Sequence, residues 1–170
     1  MSNEHRSQAI CWKSNPHVRF FRAWVLLCLA VALHVTDEAT TGFLSVYNPT
    51  VIALRKTWGW FPMPVFTFGV WLGGLILAIA GLLGLSVFIL RGARWLRPLG
   101  YAFAVLMLAN GLGHTLGTIF GRTVASVRFP RPMPGFLSSP FLLLASAYLL
   151  FELRRTRREV GCGSSSHVGV

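Results

Sequence analysis

The chain has 170 residues, of which 54% are hydrophobic and only 12% charged, whereas a soluble domain carries about 25% charged residues. Too little polar surface remains to clothe a water-soluble globule of this size, and the length suits one domain. The net charge of +11 lies in basic residues that flank apolar runs, with no recognition motif beside them, so membrane orientation accounts for it and nucleic acid is not an expected partner.

Residues 1–19 read as a polar cytoplasmic tail, 20–153 as a membrane domain and 154–170 as a basic, flexible cytoplasmic tail. The first span is expected from Phe20 to Thr36. It is an uncleaved anchor rather than a signal peptide, because the preceding tail is long, Asp37-Glu38-Ala39-Thr40 is no small-residue cleavage site and further apolar spans follow. The second span, Val65 to Leu90, has 26 residues. At about 39 Å it exceeds the roughly 30 Å hydrocarbon core and is expected to tilt. The third runs from Tyr101 to Phe120. The fourth runs from Phe136 to Leu153, with Pro140 near its start, where proline is tolerated. The expected fold is therefore an all-α integral membrane protein, a four-transmembrane-helix bundle. Cys11, Cys28 and Cys162 are odd in number and form no CxxC pair, so neither a disulfide framework nor a zinc knuckle is expected.

Lys and Arg orient the bundle. Arg6, Lys13, Arg19 and Arg22 precede the first span. Arg91, Arg94 and Arg97 follow the second, and Arg154, Arg155, Arg157 and Arg158 follow the fourth. Only Arg55, Lys56, Arg122, Arg128 and Arg131 fall on the other side. The richer side faces the cytoplasm, which puts both termini inside and the first and third loops outside. The first loop, 37–64, is too long for a simple turn and carries Tyr47, Trp58, Trp60 and Phe61, which settle at headgroup level. Its stretch from Gly42 to Trp60 is expected to be interfacial, as an aromatic belt, a half-helix or re-entrant piece, or a lid. The third loop ends in Arg131-Pro132-Met133-Pro134-Gly135, a rigid entry into the last span.

Ionisable residues within a span are costly and are functional candidates by default. His34, Asp37 and Glu38 stand at i, i+3 and i+4 and share a face if the first helix continues through them. Asn110 and His114 stand at i and i+4 on the third span, and Thr118 and Arg122 extend that stripe. Gly113, Gly117 and Gly121 form a second stripe, expected to admit a neighbouring helix backbone. Both the first and third spans run outward. His114 lies roughly 9 Å below the outer end of its span, so the two polar groups are expected at similar depth in the outer half of the membrane.

These residues resemble the signature of the HXXEE family of small bacterial membrane proteins. His34-Val-Thr-Asp37-Glu38 matches its HxxEE motif, Asn110-Gly-Leu-Gly-His114 its later Asn-x-x-x-His, and Pro134-Gly135 the Pro-Gly before its last helix. The resemblance covers about residues 30–150. The departure is Asp37, a carboxylate one methylene shorter than the family's first Glu. The resemblance implies a multi-pass protein of the bacterial inner (plasma) membrane with site positions at His34, Asp37, Glu38, Asn110 and His114. It implies no reaction.

Three readings of the cluster are open. In a low-dielectric site carboxylic acids and imidazoles are both driven toward neutrality, which suits proton transfer near pH 7. An intramembrane acid–base enzyme would use Glu38 or Asp37 as acid, His114 as base and Asn110 to orient a lipid-like or isoprenoid-like molecule. Alternatively, two imidazoles and two carboxylates suit a divalent metal, Zn²⁺, iron or manganese. In the third reading the groups only hydrogen-bond across helices, as buried polar groups in lipid must, in a structural or partner-binding protein. The partners in view are the lipid bilayer, an apolar small molecule and a second copy of the chain in a homo-oligomer.

Overall fold

The computed structural model describes residues 16–164, with side chains described through Arg155. Expectations that fall on residues 1–15 and 165–170, Cys11 and most of the N-terminal tail among them, lie outside the described residues. Five helices and one short hairpin make up the rest: α1 (Pro16–Thr41), α2 (Leu44–Trp58), α3 (Phe68–Leu90), α4 (Leu96–Phe120), β1 (Arg122–Val124), β2 (Val127–Arg128) and α5 (Ser139–Ser164). Three of them, α1, α3 and α4, are long and apolar enough to cross a membrane. The apolar part of α5 ends at Leu153; the helix then continues to Ser164, into the segment expected to be flexible.

α1 begins with Pro16, which is suited to a first helical position. It does not stop at Thr36. Thr36, Thr40 and Thr41 hydroxyls donate to the carbonyls of Ala32, Thr36 and Asp37, four residues back. These polar residues can therefore remain helical where hydropathy has already fallen away. The helix ends at Gly42, whose φ of +75° suits glycine and turns the chain into α2. His34, Asp37 and Glu38 consequently share one helical face.

The bundle is built around α1, which packs between α3 and α5, while α4 packs on α5. Trp24, Leu27 and Cys28 are wholly buried at its centre. The indole Nε1 of Trp24 donates to the Leu82 carbonyl at 2.8 Å, and its ring lies 5.3 Å from that of Phe103, which ties α1 to α3 and α4. Gly111 is the point of close approach between α4 and α5: a Cβ there would stand 2.9 Å from Leu143 Cγ. The glycine stripe expected to admit a helix does something else. Gly113 has open space beside it, Gly117 receives Met133, and Gly121 lies under the Arg131 side chain. α3 presents Val70, Ile76 and Leu77 outward, as a lipid-facing helix does.

Between α1 and α3 the connecting segment folds back on itself. Asn48 on α2 donates to the Phe66 carbonyl at 2.9 Å and accepts from the Phe66 amide at 3.0 Å. Arg55 donates to the Met63 carbonyl at 2.6 Å. The half-helix is thus fastened to the extended strip that leads into α3, and Trp58 and Trp60 are left exposed. The hairpin pairs β1 with β2 antiparallel and joins α2 through a Thr50–Thr123 hydroxyl contact of 2.5 Å.

Candidate functional site

His34 and Glu38 face inward from α1 and His114 from α4; all three are buried, at 1%, 5% and 2% exposure. Glu38 Oε1 lies 3.0 Å from His114 Nε2 and 3.5 Å from His34 Nε2. The two imidazoles meet edge to face with ring centroids 4.6 Å apart. One nitrogen of each ring and one Glu38 oxygen all fall within 4.8 Å of one another. The two polar groups that share a depth in the sequence therefore meet in direct contact.

The turn before α5 closes the site from outside. Its Pro134 carbonyl is 2.6 Å from His114 Nδ1. Gly135, at φ +84°, sits so close that a Cβ would stand 2.8 Å from both Glu38 Cγ and His114 Cε1. The Gly135 amide donates to Thr41 Oγ1 at 3.2 Å. Ser138 does the remaining work: its amide and hydroxyl donate to Asp37 Oδ2 at 2.9 and 2.8 Å, and its Oγ lies 2.8 Å from His34 Nδ1.

These contacts fix both tautomers. The Pro134 carbonyl can only accept, so His114 Nδ1 carries a proton. Ser138 has one hydroxyl proton, and its other neighbours, the Asp37 carboxylate and the Gly135 carbonyl at 3.1 Å, are acceptors. His34 Nδ1 is assigned as the donor, the choice that leaves no two bare acceptors in contact at Ser138 Oγ. Both Nε2 atoms are left pointing at the same Glu38 oxygen. A shared proton satisfies the short His114–Glu38 pair. Among the described residues, His34 Nε2 is then buried with no hydrogen-bond partner.

No family model, no curated protein and no solved structure matches this chain. What the site can do rests on its own geometry. The five residues singled out in the sequence divide into three groups. His34, Glu38 and His114 form the centre. Asp37 is half-buried and acts through Ser138 rather than in the centre. Asn110 makes no hydrogen bond to the cluster and instead lines a groove with Gly113, His114 and Gly117. The sequence reading missed Ser138. Its signal is a hydroxyl pair, Ser138-Ser139, three residues after Pro134-Gly135 and at the start of the last apolar run.

Proposed function

We propose that the chain is a metal-binding, multi-pass membrane protein whose His34, Glu38 and His114 hold a divalent transition-metal ion. The observation that carries this is the orphaned His34 Nε2. With both Nδ1 atoms committed as donors, two imidazole lone pairs and a carboxylate oxygen converge, and one cation satisfies all three. Zinc–ligand bonds of about 2.0–2.1 Å place tetrahedral donors about 3.4 Å apart, close to the separations of 3.0 and 3.5 Å here. Ser138 and the Pro134 carbonyl are the outer partners that metal-ligating imidazoles use to hold their tautomer. A His₂Glu donor set leaves a fourth position for water or substrate, and a bound ion there supplies Lewis acidity.

A second reading, an intramembrane acid–base enzyme for a lipid-like or isoprenoid-like molecule, is favoured by one feature. His114 belongs both to the centre and to the wall of a groove of about 500 Å³ between α4, Phe43 and the hairpin. A ligand in that groove lies against the imidazole that contacts Glu38.

The membrane setting we infer is four spans with both termini in the cytoplasm, in the manner of the HXXEE family and its bacterial inner membrane. Support for α5 as the fourth span comes from its pairing with α1. Arg19 and Glu152 meet at 3.3 Å at one end, and His34 and Ser138 at 2.8 Å at the other. Both helices cover the same depth, about 22 Å, so α5 crosses wherever α1 does. Eleven basic residues against five support the orientation.

The deciding experiment is metal analysis of the detergent-purified full chain together with mass spectrometry of bound small molecules. About one divalent ion per chain, lost in Glu38→Gln, is the expected result. A copurified apolar ligand with no metal would replace this reading by the acid–base one.

A further inference from the structure

The groove beside His114 does not end in the apolar region. It follows α4 outward from Ala109 to Phe120, about 17 Å of helix, and reaches Arg122 at the start of β1. There it adjoins a second cleft of about 360 Å³, lined by Phe120, Gly121, Arg122, Arg128, Phe129 and Arg131. Phe120 and Arg122 belong to both. One continuous depression is therefore apolar along the helix and carries three guanidiniums at its outer end.

Those guanidiniums are gathered at a cost. The hairpin register sets Arg122 directly opposite Arg128, and like charges in that position repel. Arg131 is laid across Gly121, with Nε 3.0 Å from where a Cβ would be, which brings a third positive charge to the same cleft. No carboxylate among the described residues pairs with any of the three. Glu38 lies between the two imidazoles, Asp37 is bound by Ser138, and Glu152 is at the far end of the bundle with Arg19. An anion with several oxygens relieves this repulsion, and the planar guanidinium matches a phosphate bidentately.

We propose that this depression binds a phosphate-bearing membrane lipid, with its headgroup among Arg122, Arg128 and Arg131 and an acyl chain along α4 over Gly113. The small residue makes room for the chain: nothing stands within 4 Å of a Cβ placed at Gly113. Phe120, at the junction, lies where headgroup gives way to hydrocarbon. Such a lipid passes its chain along the groove wall that His114 forms. The inference rests on the groove being a ligand site and is independent of the metal.

The test uses the full chain in detergent micelles doped with equal phosphatidylglycerol and phosphatidylcholine, with bound lipids counted by native mass spectrometry. The unmodified chain should retain phosphatidylglycerol in preference to phosphatidylcholine. The triple variant Arg122→Gln, Arg128→Gln, Arg131→Gln should lose that preference on the order of tenfold or more, while Arg94→Gln at the opposite end keeps it. Gly113→Leu fills the groove without touching charge and should also lose the lipid, with its melting temperature maintained. Metal content is measured on the same samples and should not change in either variant. Unaltered retention in the arginine variant, or equal retention of the two lipids by the unmodified chain, overturns the proposal and leaves the groove reading standing. Loss in the arginine variant with Gly113→Leu unaffected overturns the groove reading and this proposal together. Complete displacement of the lipid from the unmodified chain by inorganic phosphate also overturns it, in favour of a free-anion site.

Discussion

Ser138 has one hydroxyl proton, and its destination decides what His34 can do with its other nitrogen. Given to Asp37, it makes His34 Nδ1 the donor and points a bare Nε2 at Glu38. Ser138→Ala removes that orientation without touching a ligand, and loss of such an outer partner costs about 10–100-fold in metal affinity. Metal titration of the purified variant should show that loss. Glu38→Gln should abolish binding outright, and Asp37→Asn should act like Ser138→Ala because it weakens the acceptor. Asp37→Glu keeps a carboxylate and should be the mildest of the set. A metal affinity in Ser138→Ala equal to that of the unmodified chain would show that the tautomer is not held by this contact. His34, Glu38 and His114 are legible in the sequence because intramembrane ionisable residues at helical spacing are few. Ser138 is not, because hydroxyls at the start of a helix ordinarily only cap it.

Helix α1 shows why the spans were easier to read than what joins them. Hydropathy falls at Thr36, yet the helix runs to Thr41 with its threonine hydroxyls satisfied by carbonyls four residues back, and so places Glu38 in the bundle. The half-helix α2 is one of the alternatives that the aromatics of the first loop leave open, and its staple by Asn48 to the Phe66 backbone is a long-range contact with no local signature. The hairpin was not foreseen at all: its strands are two and three residues long, and the Ala125-Ser126 turn lacks the Asn-Gly or Gly residues that announce such turns. The stripe Gly113, Gly117 and Gly121 does not admit a helix as its spacing suggests; Gly111, outside that stripe, and not Gly113 meets α5. Matched substitutions separate the two. Gly111→Leu should overpack against Leu143 and cost about 1–3 kcal/mol, seen as a lower melting temperature in detergent. Gly113→Leu, with open space beside it, should leave melting unchanged. Similar melting of both variants would contradict this packing. For the span order, a C-terminal reporter that is active only outside the cytoplasm should stay silent, and a strong signal from that fusion would reverse the inferred orientation.

At the scale of the whole molecule the two ends of the bundle are fastened by different chemistry. One end has the buried Arg19–Glu152 pair between α1 and α5. The other has the His–Glu–His centre, to which α1, α4 and the turn before α5 all contribute. Because the donors come from segments far apart in sequence, the centre exists only in the folded state, and metal binding is then linked to folding. A ligand at 100 times its dissociation constant that binds only the folded chain stabilises it by about 2.7 kcal/mol. Added Zn²⁺ should therefore raise the melting temperature of the full chain in detergent, and a chelator should reverse the rise. Glu38→Gln should show neither shift, since it leaves two imidazoles with no charged oxygen between them. Lys56→Gln, on the outer half-helix and away from the donors, should show both. Nonspecific metal binding at surface groups would move all three proteins equally, and that result would remove the metal from this site. A rise confined to the chains that keep Glu38 has a different origin, because only the buried centre distinguishes them.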